Sequence, residues 1–213
     1  MEFKDEVTAG DGAIRASAPG KGKLCAATSV FLFKYLEEKG VKTHLLGYDG
    51  DRRLVVRRLK IIPIEVIVRN YAYGSLLKRM PMYKQLQPLD PPLIEFHYKD
   101  DALHDPLILV DDILRTNIVT REQLDLIVDM TMKVNSELSK LFSSKKLTLV
   151  DAKFEFGFYN GEIYLADEIS GDTIRVIDDQ SRHLDKEVFR RSKSVDELLK
   201  AYSELALRLG ILG

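Results

Sequence analysis

Leu147 to Arg175, LTLVDAKFEFGFYNGEIYLADEISGDTIR, is the stretch that decides the architecture. From Leu147 to Phe156 polarity alternates with period two, which predicts a strand with Val150, Ala152, Phe154 and Phe156 on one face and Asp151, Lys153 and Glu155 on the other. Asn160-Gly161 is a turn pair, because both residues tolerate positive φ, and Glu162 to Ile169 reads as the returning strand. Two registers compete. A two-residue loop sets Phe154 opposite Asp167 and Lys153 opposite Glu168, whereas a three-residue loop ending in a bulge at Gly161 sets Lys153 opposite Asp167 and makes Glu155 and Asp167 diagonal neighbours.

The plainer meaning of this acidic hairpin is a solvated face with cross-strand salt bridges. Two features point past it. Carboxylates about 4 Å apart repel by on the order of 4 kcal/mol at an effective dielectric of about 20, so Glu155 and Asp167 together ask for a counter-cation. Mg²⁺, which takes one or two carboxylates plus phosphate oxygens, suits such a pair. Asp172 and Arg175 then follow at the same end, a second acid and a phosphate-type ligand. The expectation is that Glu155 and Asp167 share one hairpin face and bracket a cation.

The chain of 213 residues can bury a full core as one large domain or two small lobes. Its formal net charge of -1 gives no general attraction to nucleic acid or an anionic membrane, so any anion site must be local. The single Cys25 excludes an internal disulfide and a cysteine-built metal site and is read as a small core residue. No apolar run is long enough to span a bilayer, and the acidic opening MEFKDEVTAG is unlike a signal peptide, which predicts a soluble cytoplasmic protein.

Outward from the hairpin, Met1 to Thr8 is a strand candidate, followed by a glycine loop around Asp11. Lys23 to Lys39 reads as a helix with Leu24, Ala27, Phe31 and Tyr35 on its inner face. Thr43 to Tyr48, Arg53 to Leu59 and Ile61 to Arg69 are sheet strands, and the last runs into a glycine turn that places Arg69 near Ser75, a guanidinium fork beside a small donor. Gln87 to Pro92 is the best linker candidate. Glu95 to Pro106 reads as a solvated charged loop, since His97 and His104 lack a second pair of ligands. Thr120 to Phe142 is a helix opened by the capping box Thr120-x-x-Gln123, Asp185 to Arg191 a short basic helix, and Ser194 caps a last helix that Gly210 ends. Strands first, then a long helix, a hairpin and a terminal helix predict an α+β fold in two lobes, 1–87 and 88–213, with a cleft between them.

Six segments in order, TAGDGA, IIPIEVIVRNYAYGSLLKR, PPLIEFHYKDDALHDP, LVDAKFEFG, LADEISGDTIR and LDKEVFRR, make the chain resemble the SAICAR synthetase family of purine biosynthesis over nearly its whole length. The resemblance implies a kinase-like ATP cleft and an ATP-dependent ligase that joins the carboxylate of carboxyaminoimidazole ribonucleotide (CAIR) to the amine of L-aspartate through an acyl phosphate. It implies ATP, CAIR, L-aspartate and Mg²⁺ as ligands, with no nucleic-acid or membrane partner. Carried over by motif, Glu155 and Asp167 would hold Mg²⁺, and Arg69, Ser75 and Arg175 the ribonucleotide phosphate. Asp172 would lie near its ribose, Lys99, Asp105 and Lys153 would line the reacting centre, and Asp11 would lie near the substrates. The backbone at Leu59, Lys60, Ile61 and Ile62 would face adenine.

The chain departs from the family pattern at several places. The triplet SPD is Ser170-Gly171-Asp172, expected to loosen the backbone, a common tryptophan is Ile177, and alanines of the arginine loop give way to Tyr71 and Tyr73. Family members also place a phosphate-binding hairpin before the first strand, so the comparison predicts an exposed sheet edge that invites a homodimer. The rival functions are a phosphotransferase of other specificity and a non-catalytic nucleotide-binding paralogue.

Overall fold

The computed structural model describes residues 1–10 and 14–212. Strand β8 (Leu147–Tyr159) is its spine: one edge pairs antiparallel with β5 (Lys60–Tyr71), and the other is divided between β10 (Ile174–Asp178) on its first half and β9 (Glu162–Ala166) on its second. With β6 (Pro88–Tyr98) and β7 (Leu107–Ile108) these make a six-stranded antiparallel sheet. Two smaller two-stranded sheets join β1 (Glu6–Ala9) to β2 (Ile14–Ser17) and β3 (Leu45–Tyr48) to β4 (Leu54–Val56). Because β9 and β10 share one edge of β8, the segment 167–173 must cross beside the middle of that strand, where Thr173 accepts the amide of Lys153 at 2.8 Å.

The hairpin takes the two-residue register. Tyr159 lies opposite Glu162 and Glu155 opposite Ala166, with Asn160 at φ 50° and Gly161 at φ 81° filling the turn, so the three-residue alternative is overturned. Two positive φ angles in succession match the twist of the flanking strands without a bulge. The alternation along β8 also needs correction. Arg175 faces Asp151 but Val176 faces Leu149, so Val150 is skipped and packs with Tyr73 and Ile177 instead of with Ala152, Phe154 and Phe156.

Two short helices, α2 (Ser75–Arg79) and α3 (Val110–Arg115), follow β5 and β7, and the apolar face of the sheet, with Val66, Val68, Ala152, Phe154 and Phe156, is buried against α4 (Arg121–Ser144). Its N-terminus is closed by the predicted reciprocal bonds of Thr120 and Gln123, and Leu124, Ile127, Thr131, Val134 and Leu138 are buried along one stripe. Behind lie α1 (Lys21–Glu38), α5 (Glu187–Ser192) and α6 (Val195–Leu209), the last capped by Ser194 and ended by Gly210 as expected. In α1 the buried set is Lys21, Gly22, Cys25, Ala26, Thr28, Ser29, Val30, Leu32, Phe33 and Leu36, while Leu24, Ala27, Phe31 and Tyr35 are only half-buried. The small residues let α1 approach the crossing segment, and Ser29 both donates to the carbonyl and accepts from the amide of Ile169 at 3.1 Å.

The proline-rich stretch from Gln87 is likewise not a linker. Its prolines open β6, which lies beside β5 on one edge while β7 reaches only Phe96 and His97 on the other. The sheet therefore runs continuously past residues 87 and 88.

Candidate active site

The other face of the sheet carries charge. Register aligns Glu65 with His97 on β6 and Glu155 on β8, Ile67 with Glu95 and Lys153, and Arg69 with Asp151, which in turn faces Arg175 on β10. Since residues two apart share a face, these side chains form one polar rank across four strands.

At one end Lys153 Nζ sits among three acids, 2.6 Å from Glu65 Oε1, 2.9 Å from Glu155 Oε1 and 3.9 Å from Asp167 Oδ2. Lys99 Nζ meets the same Glu155 oxygen at 2.5 Å. Asp167 arrives there although its register would aim it at the Phe154 side, because it lies just past the last ladder pair and takes φ 59°, which breaks the strand alternation. The acidic pair is thus brought together by a left-handed residue, not by the expected bulge. Burial opposes charge on Lys153, but Glu155, Asp167 and Glu65 outweigh it and hold the ammonium well above the ordinary lysine range. Burial and then the Glu155 charge push the Asp167 carboxyl up, while Lys153 and Lys99 outweigh burial at Glu155 and draw it down. Two carboxylates beside two ammonium groups are hard oxygen donors of the kind a divalent cation can use.

At the other end Arg69, 1% exposed, is gripped on every side. Its Nε and Nη2 donate to Glu95 at 3.0 and 2.9 Å, Nη1 to Asp151 Oδ2 at 2.9 Å and Nη2 to Ser75 Oγ at 2.9 Å. Arg175 Nη1 donates to both oxygens of Asp151, at 3.1 and 2.8 Å. A cavity of about 160 Å³ opens over this group, lined among others by Arg69, Ser75, Lys153, Asp172, Arg175 and Arg190. The four residues predicted to meet the ribonucleotide therefore share one concavity.

Asp172 enters that cavity from a buried network absent from the sequence reading. Lys21 of α1 forms an ion pair with it, Tyr202 Oη of α6 donates to Oδ1 at 2.8 Å, and Lys186 Nζ lies 3.7 Å away. Burial would raise this carboxyl, but Lys186 and Lys21 outweigh it. Gly171 does not loosen the segment: a Cβ there would lie 2.6 Å from Tyr202 Cε1, so the glycine admits the tyrosine that anchors Asp172. Gly171→Ala is accordingly expected to cost about 1–3 kcal/mol in urea unfolding, the range for overpacking, and Tyr202→Leu in the same chain should relieve part of that loss. Equal costs of Gly171→Ala in both backgrounds would disprove the contact.

Asp105 stays in its own loop, where Oδ1 accepts the Asp100 amide at 2.8 Å and its carbonyl meets His97 Nδ1 at 2.8 Å. Both ring nitrogens of His97 are engaged, the other 3.5 Å from Glu95, which leaves none for a metal. Lys60 and Ile61 pair with Phe158 and Gly157 at the start of β5, and Ile62 is buried. Asp11 lies outside the described residues. Sequence reasoning missed Glu65, Glu95, Lys21, Tyr202 and Arg190. The first two had a visible signal, a single acid amid the apolar runs IIPIEVIV and LIEFHY.

Known proteins resemble this chain over nearly its whole length. The family profile described as SAICAR synthetase matches residues 1–208. A phosphoribosylaminoimidazole-succinocarboxamide synthase of Caldivirga maquilingensis is 56% identical over 99% of this chain and 88% of its own length. Among solved structures, a SAICAR synthetase in complex with ADP superposes with a TM-score of 0.93 at 44% identity, covering 98% of this chain and 89% of that one. The SAICAR synthetase of Pyrococcus horikoshii OT3 gives a TM-score of 0.93 at 44% identity over 99% of this chain and 92% of its own. Matching so completely in sequence and in backbone, this chain belongs to the SAICAR synthetase family.

Proposed function

We propose that the charged rank on the sheet is the reaction centre of the family's ligase chemistry, and that its two ends divide the substrates between them. The reaction is ATP-dependent formation of SAICAR, a carbon–nitrogen ligation in purine biosynthesis. A carboxylate is a poor acyl donor, so the CAIR carboxylate first takes the γ-phosphoryl group of ATP, releasing ADP. The amine of L-aspartate then attacks the acyl carbon, phosphate leaves, and the amine gives up its proton.

Arg175, Arg69 and Ser75 hold the ribonucleotide phosphate, and Asp172 its ribose. The observation that carries this reading is the convergence of all four on one cavity. Arg175 is the principal ligand, since it is 18% exposed at the side chain while Arg69 is enclosed by carboxylates. Lys153 and Lys99 present ammonium charge to the transferring phosphoryl group, a contribution that grows as charge develops in the transition state. Glu155 and Asp167 would hold Mg²⁺, which neutralises phosphate charge when bound. Adenine lies against the backbone of Leu59, Lys60, Ile61 and Ile62, and by the resemblance Asp105 and Asp11 would serve the substrates. The proposed lobes, 1–87 and 88–213, share one sheet, in which β5 lies between β6 and β8. A cytoplasmic location is proposed with this chemistry, in line with a lone, buried cysteine.

Release of ADP followed with each substrate omitted in turn tests the reaction. Full turnover is expected only with ATP, ribonucleotide and L-aspartate together, and equal ADP release without L-aspartate would favour a phosphotransferase. Arg175→Ala is expected to weaken the ribonucleotide by about 1.5–3 kcal/mol, the scale of a charge-assisted bond, with ATP binding unchanged. An equal loss for ATP would reassign the cavity.

A further inference from the structure

Tyr73 packs in one small buried cluster with Val150 and Ile177. The Tyr73 ring centroid lies 5.3 Å from the guanidinium carbon of Arg175. Gly74, next in sequence, lets the same guanidinium close on the loop, since a Cβ there would stand 2.9 Å from Nη2. The carbonyl of Tyr73 also accepts from Arg69 Nη1 at 3.3 Å.

The hydroxyl of Tyr73 is anchored in turn. Arg191 of α5 donates to it, and it lies 2.9 Å from His183 Nε2. His183 Nδ1 is 2.8 Å from Asp185 Oδ2, and Asp185 also accepts the amides of Val176 and Glu187. One pattern satisfies every atom: Asp185 fixes the proton on Nδ1, so Nε2 accepts from the tyrosine while the tyrosine oxygen accepts from Arg191. Tyr73, His183 and Asp185 are buried, at 4%, 8% and 0% exposed, while Arg191 reaches them from the surface. The chain ends on the ring beneath Arg175, whose Nε also donates to Glu187 at 3.4 Å and whose charge Asp185 helps to hold.

We propose that Tyr73, held by His183 and Asp185, is a positioning residue for Arg175 and sets the affinity of this chain for its phosphate-bearing substrate. This rests on the assignment of Arg175 to the ribonucleotide phosphate. The ring holds the guanidinium plane by a desolvated cation–π contact, leaving an edge turned to the cavity. The anchored hydroxyl fixes the ring, so less freedom is lost when the phosphate binds.

Steady-state kinetics with each substrate varied test the proposal, with urea unfolding to confirm that every variant is folded. Tyr73→Leu is expected to raise KM for the ribonucleotide about tenfold, the worth of one such contact, while KM for ATP and kcat stay within about threefold. Tyr73→Phe keeps the ring and should raise it only about threefold, and His183→Gln should do the same in the parent but nothing further in the Tyr73→Phe background. A ribonucleotide KM within twofold of the parent for Tyr73→Leu, a matching rise for ATP, or additive effects of Tyr73→Phe and His183→Gln would each overturn it. If Tyr73→Leu does not fold, the Tyr73→Phe and His183→Gln cycle decides alone. Arg175→Ala separates the two readings: if it leaves the ribonucleotide KM unchanged, the phosphate assignment itself fails, whereas a large effect there with none at Tyr73 refutes only the positioning.

Discussion

Arg69→Ala is expected to destabilise the fold by about 3–5 kcal/mol, the cost of stranding buried charges by removing their partner. The arginine is the shared cation of Glu95 and Asp151, which are 4% and 3% exposed, and its loss leaves Glu95 with Arg79 and His97 and leaves Asp151 with Arg175. Urea unfolding at constant m-value measures this directly, and a loss below about 1 kcal/mol would mean that the neighbouring arginines suffice. The effect carries a pH signature. Burial alone would raise the Glu95 carboxyl, but bonds from His97, Arg69 and Arg79 hold it well below its ordinary value of 4.5. A carboxylate depressed in the folded state contributes stability that is present above the unfolded pKa and lost as pH falls toward the folded one. Parent stability should therefore decline as pH falls below about 4.5, and Arg69→Ala should flatten that decline. Arg69 and Arg175 consequently separate: one is first a structural cation, the other first a ligand.

Lys153→Met is expected to lower kcat by about 100- to 1000-fold, the range for removing one donor aimed at developing charge. KM for the ribonucleotide should change far less than kcat, because Arg175 and Asp172 remain in the cavity that Lys153 also lines. Single-turnover ADP formation places the defect in the phosphoryl-transfer step. A variant that forms ADP at the parent rate but ligates slowly would assign Lys153 to the amine's attack instead. The three acids around Lys153 make Lys153→Arg a poor rescue, since a planar fork cannot meet Glu65, Glu155 and Asp167 as a compact ammonium does.

Much of this was legible in the chain because its signals are local. The alternation of β8, the Asn160-Gly161 turn, the Thr120 box and the Ser194 cap each occupy a few adjacent residues and survive tertiary packing. What was lost depends on single backbone events or on distant partners. Asp167 joins the acidic cluster through one left-handed φ at a strand end, and Val150 leaves its face through one skipped ladder position. Neither leaves a mark in polarity. Lys21 carries no local signal because its partner Asp172 lies in another segment entirely, and Glu65 is submerged in an apolar strand whose other face supplies the dominant pattern. The stripe read on α1 failed because that helix buries small and polar residues against the crossing segment.

The pairing of β5 with β8 joins residues far apart along the chain, with Arg69 reaching Asp151 across 82 positions and Lys153 reaching Glu65 across 88. Closing so long a loop is entropically slow, and contacts of this kind are made late in a folding pathway. Until then Arg69, Glu65 and Lys153 stand on separate, hydrated pieces of chain. Half-folded molecules consequently turn a water-covered charged surface outward on this side, while the hydrophobic side of β5 can already search for α4. A chain caught before that pairing also bares the apolar faces of β5 and β8 that α4 later covers, and is then at its most prone to stick to other unfinished chains.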